Sequence, residues 1–539
     1  MKAIEDVLIV GGGTAGWLTA AFLAQHLGTA HGGVRITLVE SSDIGIIGVG
    51  EGTFPSIRGT LSAIGIPEAR FLQACSATFK QGVRFNDWVR PPAGGDDSHA
   101  SAGRGASGSN QGAAGAGSDH YFHPFSLPSQ RPGAPELLPY WLLGDAGQGR
   151  AFAEAVTLQK AVVDARHGPK RATDGDYLGS LNYAYHFDAG RFAVLLAEQA
   201  QSLGVKRVIA TVDRVDLDEQ GAIAAVHTKE AGELRAGLYI DCSGFHARLI
   251  GQALGSPFKP LDDVLFVDRA LAMQVPYDRP DAPIASCTMS SAQRNGWIWD
   301  IGLQERRGIG HVYSSRHTDD DAAERELRRY IGPAADALSP RKLSLNVGYR
   351  ETQWVKNCVA VGLSGGFLEP LESSGIGLIE TAAYLIAQLF PFDGDTAPVA
   401  RHFNRFMAER YACIVDFIKL HYGLTQRRDT AFWRDNADPA SFPDSLRDKL
   451  AMWRHRPPQR LDFITDVEMY LPASWQYVLY GMEYGTRLEG SRPAFRRSEE
   501  ARQEFRMIAQ LGQHAIRDLP RHRDLIDQIL SRAGMKMAA

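Results

Sequence analysis

The segment "IVGGGTAGWLTAAF" carries Gly11, Gly13 and Gly16 in a G-x-G-x-x-G spacing. Glycines spaced in this way let a chain turn tightly out of a strand, bring backbone N–H groups against a pyrophosphate and pack the following helix closely. Glu40, 24 residues after Gly16, stands at a strand end, where a carboxylate can accept hydrogen bonds from a ribose. These residues predict a dinucleotide site. Two distant stretches, "IDCSGF" (Ile240–Phe245) and "CVAVGLSGGFLEPLESSGIG" (Cys358–Gly377), each close a strand with a turn of small residues. A protein that clasps an extended FAD needs such late returns of the chain, so they favour FAD over NAD, although ordinary βα turns look similar. A third stretch, "NGWIWDIG", places two of the nine tryptophans, Trp297 and Trp299, one residue apart. Strand alternation puts both indoles on one face and Ile298 on the other. Taken alone, the pair reads as core.

The elements that must position these residues follow from hydrophobic periodicity. "DVLIV" is a short buried strand, the glycine-rich segment opens a helix, and "VRITLVES" is a second strand, which together make a β-α-β unit. Residues 205–241 alternate like sheet strands joined by tight turns, and residues 263–315 are again rich in strands. From Gly375 the pattern turns helical, through "GIGLIETAAYLIAQLF" and "HFNRFMAERYACIVDFIKLHY". The predicted fold is α/β: a Rossmann-like, FAD-binding domain of the monooxygenase type, with an antiparallel substrate-side sheet and a mostly helical C-terminal region. The expected boundaries are 1–375 for the core, which includes a substrate-side sheet at about 263–350, and 376–539 for a helical region covering the substrate chamber. Between Ala100 and Ser118, sixteen of nineteen residues are Gly, Ala or Ser, so a flexible insertion is expected at about 93–118.

Composition narrows the partners. The chain has 539 residues, 44% hydrophobic and 22% charged, with a net charge of −4, which speaks against nucleic acid or an anionic membrane as a partner. The N-terminus enters a strand without a basic leader and no apolar run is long enough to span a bilayer, so neither a signal peptide nor a membrane segment is expected. Five widely spaced cysteines without a CxxC read as reduced thiols of a cytoplasmic protein, not as metal ligands.

With Trp17 following the glycines, "VGEGTFP" (Val49–Pro55), "WIWDIG" and "FLEPLESSGI", the chain resembles the flavin-dependent halogenases, the family that includes the tryptophan halogenases, from about residue 5 to about residue 480. The family motif is WxWxIP. Here Gly302 replaces its proline, which marks a divergent member and predicts a less rigid strand end. The resemblance implies that FADH2 from a separate flavin reductase, together with O2, oxidises bromide or chloride to hypohalous acid. A lysine in a second chamber then delivers the halogen to an electron-rich arene. It places FAD on Gly11, Gly13, Thr14, Ala15, Gly16, Glu40, Glu51, Gly52, Val212, Leu363 and Ile376, and halide at Ser374 and Gly375. It identifies Lys80 as the essential lysine and Glu372 and Ser373 as its partnering acid and serine. A lysine ammonium can polarise hypohalous acid by a hydrogen bond, or as a neutral amine form a haloamine, and the residues leave both open.

The resemblance also assigns His123 and Phe125 to one side of the substrate ring and Trp475 to the other, and makes Trp297 and Trp299 a partition that keeps the arene from being hydroxylated. Members specific for tryptophan clamp its amino-acid group with a tyrosine pair and a glutamate. At the matching spacing this chain has Phe463, Ile464 and Tyr470, which cannot pair an ammonium. Indole or an indole derivative is therefore expected in preference to free tryptophan. The alternatives are a flavin-dependent aromatic hydroxylase, which would not need Lys80 and Glu372, and a non-catalytic FAD sensor. A homodimer is compatible with the helical regions.

Overall fold

The computed structural model describes residues 3–42, 50–92, 119–129, 131–147, 149–464 and 466–534. The Gly/Ala/Ser-rich insertion, and Val49 of "VGEGTFP", lie outside the described residues. The chain forms two compact units, each assembled from three segments. The first comprises Met1–Ala77, Phe187–Asp262 and Leu345–Ala412, and the second Thr78–His186, Asp263–Ser344 and Cys413–Ala539. The units divide inside the helical stretch after residue 375, within the helix Thr396–Gly423, and residues 345–350 of the expected substrate-side sheet belong to the first unit.

The first unit is built on a six-stranded sheet in the order Trp354–Val355, Cys358–Ala360, Leu238–Asp241, Asp6–Val10, Arg35–Glu40, Lys206–Ile209. All neighbours are parallel except the first pair. Parallel central strands are covered on both faces, and so "DVLIV" is a continuous apolar run buried from Val7 to Val10. The helix Thr14–His26 starts directly after the glycine turn and is buried from Gly16 to Ala24. One carboxylate organises the far end of this sheet. Asp241 is fully buried, and it accepts hydrogen bonds from the backbone N–H groups of Leu249 and Ile250 at 2.8 Å each and from the Ser243 hydroxyl at 2.6 Å.

The second unit contains a seven-stranded sheet in the order Arg341–Ser344, Arg269–Pro276, Arg306–Tyr313, Gly296–Gly302, Thr288–Ala292, Gly82–Asn86, His120–Pro124. All its pairs are antiparallel except Thr288–Ala292 with Gly82–Asn86. Its helices Ser498–Asp518 and His522–Arg532 bury one face each, with Ala501, Phe505, Ile508 and Gly512 at helical spacing on the first. Among the described residues no helix is long and apolar enough to cross a membrane, and no cluster of His, Cys, Asp and Glu could hold a metal ion. The five cysteines are free thiols.

The tryptophan strand Gly296–Gly302 is buried along its whole length. Trp297 packs on Trp88, ring centroids 6.4 Å apart, and Trp88 packs on Trp433 at 5.5 Å. Trp299 lies across Gly310 of the neighbouring strand, where a Cβ would stand 2.0 Å from the indole. The end of this strand, where a less rigid backbone was expected, is closely packed. The Gly302 carbonyl accepts the Thr78 hydroxyl at 2.6 Å, and a Cβ on Gly302 would meet Ile284 Cγ2 and the Tyr277 hydroxyl at 2.9 Å each. The space of the family's proline is thus occupied by neighbouring side chains. Restoring the proline by Gly302→Pro is expected to lower stability by about 1–3 kcal/mol, the usual cost of overpacking. Chemical denaturation would check this, and an unchanged or raised midpoint would contradict the packing.

Candidate active site

In the first unit the three motif glycines do different work. Gly11 has φ +117°, and a Cβ there would lie 2.2 Å from the Cys242 carbonyl oxygen. A Cβ on Gly16 would lie 1.9 Å from the Gly11 oxygen, so this glycine permits close packing of helix on strand. Gly13 faces open space, and as N-cap it uses no side chain to satisfy the N–H groups of the first turn. Such a helix N-terminus can receive an anionic group, and Thr14 and Ala15 are its first two residues. Gly12, outside the motif, is a fourth requirement, because Glu40 Oε2 lies 1.5 Å from where its Cβ would be. The Glu40 carboxylate accepts the Trp17 indole N–H at 3.3 Å and Arg207 Nε at 2.6 Å. The second glycine turn is seated on the first. Gly362, at φ +74°, backs onto Ala15 so closely that a Cβ would stand 2.7 Å from the alanine methyl. Leu363 follows it, and Val212 opens the strand Val212–Leu217.

The turn after Leu363 carries the predicted acid and serine. Glu372 is buried, Ser373 takes a left-handed conformation at φ +57°, and the helix Ser374–Gln388 starts immediately after it. The Ser374 hydroxyl oxygen is buried with no hydrogen-bond partner among the described residues. No atom lies within 4 Å of a Cβ on Gly375, and Ile376 is buried behind it. Unpaired N–H groups at a helix start, beside an unpartnered hydroxyl, can receive a small anion. The segment with Glu51 and Gly52 is tied to the same helix by a residue the sequence did not flag. Glu380 accepts the Ser56 hydroxyl at 2.7 Å and also the Thr60 hydroxyl. Burial pushes the Glu380 carboxyl up to about 7 against the pull of those two hydroxyls, and burial pushes Glu51 up to about 7 as well.

In the second unit, Lys80 ends the short strand Thr78–Lys80, which pairs antiparallel with Ala184–Asp188 in the register Thr78↔His186, Lys80↔Ala184. Lys80 has no exposed surface, and its Nζ lies 5.3 Å from the Phe125 ring centroid. The next residue fixes that geometry. Gln81 accepts the Phe125 backbone N–H at 3.1 Å, and the strand continuing from Gly82 pairs Val83 with His123. Lys80, His123 and Phe125 are therefore brought together by consecutive backbone pairings. Burial, the Lys80 charge and His522 hold His186 well below the usual histidine range, so that it stays neutral.

Trp475, on the helix Pro472–Gly481, has no exposed surface. It packs against Phe417 at 4.9 Å, Trp453 at 5.4 Å and Phe463 at 5.5 Å, with Lys449 Nζ 5.3 Å from its ring. Phe417, which the sequence did not single out, also touches His123 at 5.7 Å and stacks on Tyr470 at 4.0 Å. Ile464 is 68% exposed. The nearby acid, Glu468, turns its carboxylate to the Tyr470 backbone N–H at 3.1 Å.

Two outcomes follow for the first unit. In the flavin-free protein, Gly16→Ala is expected to cost about 1–3 kcal/mol, whereas Gly13→Ala should stay within about 1 kcal/mol of the parent. Equal losses would contradict the division of labour between the glycines. Glu380 binds its proton more tightly when folded than at its ordinary value near 4.5, so its contribution is fully present below that pH and is lost as pH rises to about 7. Denaturation curves between pH 4.5 and 7.5 should show ~3 kcal/mol less of this loss in Glu380→Gln. An identical slope in both proteins would refute the shift.

The family profile for tryptophan halogenase matches residues 6–493. The tryptophan 6-halogenase SttH of Streptomyces toxytricini is 35% identical over 497 residues, covering 88% of this chain and 89% of its own. The tryptophan 7-halogenase RebH of Lentzea aerocolonigenes is 35% identical over 458 residues, covering 84% and 82%. The crystal structure of a tryptophan halogenase from Shewanella frigidimarina superposes with a TM-score of 0.90 at 40% identity, covering 100% of this chain and 99% of its own. With the glycine cradle, the late glycine turn and the buried lysine in place, the chain belongs to the tryptophan halogenase family of flavin-dependent halogenases.

Proposed function

We propose that the protein uses FADH2, O2 and bromide or chloride to halogenate an electron-rich aromatic, an indole or indole derivative in preference to free tryptophan. The observation that carries this reading is the buried Lys80 side chain, its Nζ over the Phe125 ring, in a strand whose continuation pairs Val83 with His123. A buried ammonium is a strong, directional hydrogen-bond donor in low dielectric, suited to polarising hypohalous acid beside an apolar ring. The flavin, when bound, supplies the oxidation of halide. The residues suited to hold it are Gly11, Gly13, Thr14, Ala15, Gly16, Glu40, Glu51, Gly52, Val212, Leu363 and Ile376, and the open Gly13 face supports this. Ser374 and Gly375 are suited to halide, through the helix start and the unpartnered Ser374 hydroxyl. Glu372 and Ser373 would take up or stabilise the positive charge that develops on the arene. Trp297 and Trp299 serve as a partition.

The preference against free tryptophan rests on Phe463, Ile464 and Tyr470, none of which pairs an ammonium, and on the engagement of Glu468 with backbone. The aromatic rings around Trp475 favour a flat apolar substrate. The protein would work in the cytoplasm with a separate flavin reductase, as a monomer or homodimer. An aromatic hydroxylase would share the flavin but would have no use for Lys80.

Supplying the enzyme with a flavin reductase, bromide and indole should yield a brominated product by mass spectrometry, and Lys80→Ala should lower its rate by about 10²-fold or more. A hydroxylated product, or a rate indifferent to Lys80→Ala, would overturn the reading. In competition, indole should be brominated faster than free tryptophan, and the reverse order would remove the substrate assignment.

A further inference from the structure

His522 lies beyond the span that the family profile matches, at the first residue of the helix His522–Arg532. It is fully buried. The segment leading into it is fixed to the second unit by backbone. His167 and Arg521 form an antiparallel bridge, Gly168 N–H donates to the Pro520 carbonyl at 3.0 Å, and His522 N–H donates to the Arg166 carbonyl at 2.9 Å. Gly168 has no room for a side chain, since its Cβ would stand 2.3 Å from Leu525 Cδ2 on the same helix.

From this anchored position the imidazole spans two backbones. Its Nε2 accepts the Phe79 N–H at 2.9 Å, and its Nδ1 donates to the Ile284 carbonyl at 3.2 Å. An amide N–H can only donate and a carbonyl can only accept, so these partners fix the neutral tautomer protonated at Nδ1. Burial pushes the His522 pKa down to about 4, in keeping with a neutral ring. Phe79 is the central residue of the three-residue lysine strand, and a buried N–H there without an acceptor would be costly. Arg523, the next residue, donates to the Ala282 carbonyl at 2.6 Å and to the Gln304 carbonyl at 3.1 Å, just past the tryptophan strand. Thr78 binds the end of that same strand through the Gly302 carbonyl.

We propose that His522 is a positioning residue for halogen transfer. By accepting the Phe79 N–H it fixes the strand whose last residue is Lys80, and so sets where the lysine ammonium stands relative to Phe125 and the arene. This rests on the reading of Lys80 as the halogen-delivering group. A catalytic group that shifts by a fraction of its working distance loses rate more than binding.

The test uses the full-length enzyme with FAD, a flavin reductase, bromide and indole. His522→Ala should lower kcat for bromination by about tenfold while leaving KM for indole within about twofold. It should also speed hydrogen exchange at the Phe79 amide. His522→Gln places an amide oxygen near the position of Nε2 and an N–H₂ donor beside it, so it should recover most of the rate and the protection. His522→Leu, which fills space without accepting a hydrogen bond, should not. Full activity in His522→Ala, or a Gln variant no better than Leu, would overturn the proposal. Should His522→Ala fail to fold, the contrast between Gln and Leu still decides it. Absence of Lys80-dependent bromination in the parent would instead defeat the halogenase reading, and protection of the Phe79 amide in His522→Gln against His522→Leu would still report on the contact.

Discussion

The burial of the Lys80 side chain is the constraint on which the second unit depends. A charged or strongly polar amine taken out of water must be compensated by fixed partners and cannot be left to wander, because each misplacement exposes the full desolvation cost. The surrounding structure holds the backbone on either side of the lysine in place. Thr78 is tied to Gly302, Phe79 to His522, Gln81 to Ser286 and to Phe125, and the following strand to His120–Pro124. Burial holds His186 and His522 below the usual histidine range, which keeps both rings neutral.

The first unit meets a different demand with the opposite device. Where the second unit fills space with rings, the nucleotide side keeps space empty by forbidding Cβ atoms. Gly11 and Gly16 are excluded from carrying side chains by backbone oxygens, Gly12 by a carboxylate and Gly362 by a methyl group, while Gly13 opens outward. The result is one smooth backbone face among crowded neighbours, which suits a ligand recognised through N–H groups. Burial raises the carboxyls of Glu51 and of Glu380, which lies on the helix Ser374–Gln388, so this unit also carries two pH-sensitive acids.

The parts legible in the sequence were those whose signals are local. The strand–glycine–helix unit and the alternation of the tryptophan strand follow from spacings of two to four residues, and the helix expected after Gly375 begins at Ser374. The neighbourhood of Lys80, His123 and Phe125 was legible only through the family resemblance, because the pairing that joins them crosses the insertion. Glu380 reaches Ser56 across 324 residues and His522 reaches Phe79 across 443, and no periodicity encodes such contacts. Phe417 sits on an ordinary apolar helix face, indistinguishable in sequence from core. The surroundings of Gly302 were illegible for the same reason: Tyr277, Ile284 and Thr78 close around it from distant parts of the chain.

The joint around Pro520 and His522 also bears on how the protein is made. The acceptor for the Phe79 N–H follows it by 443 residues in the chain, and domains take shape progressively as the chain emerges from the ribosome. The lysine strand therefore waits, one hydrogen bond short, until His522 has been made. A chain stopped before residue 522 would hold every segment of the first unit yet lack the acceptor of the Phe79 N–H.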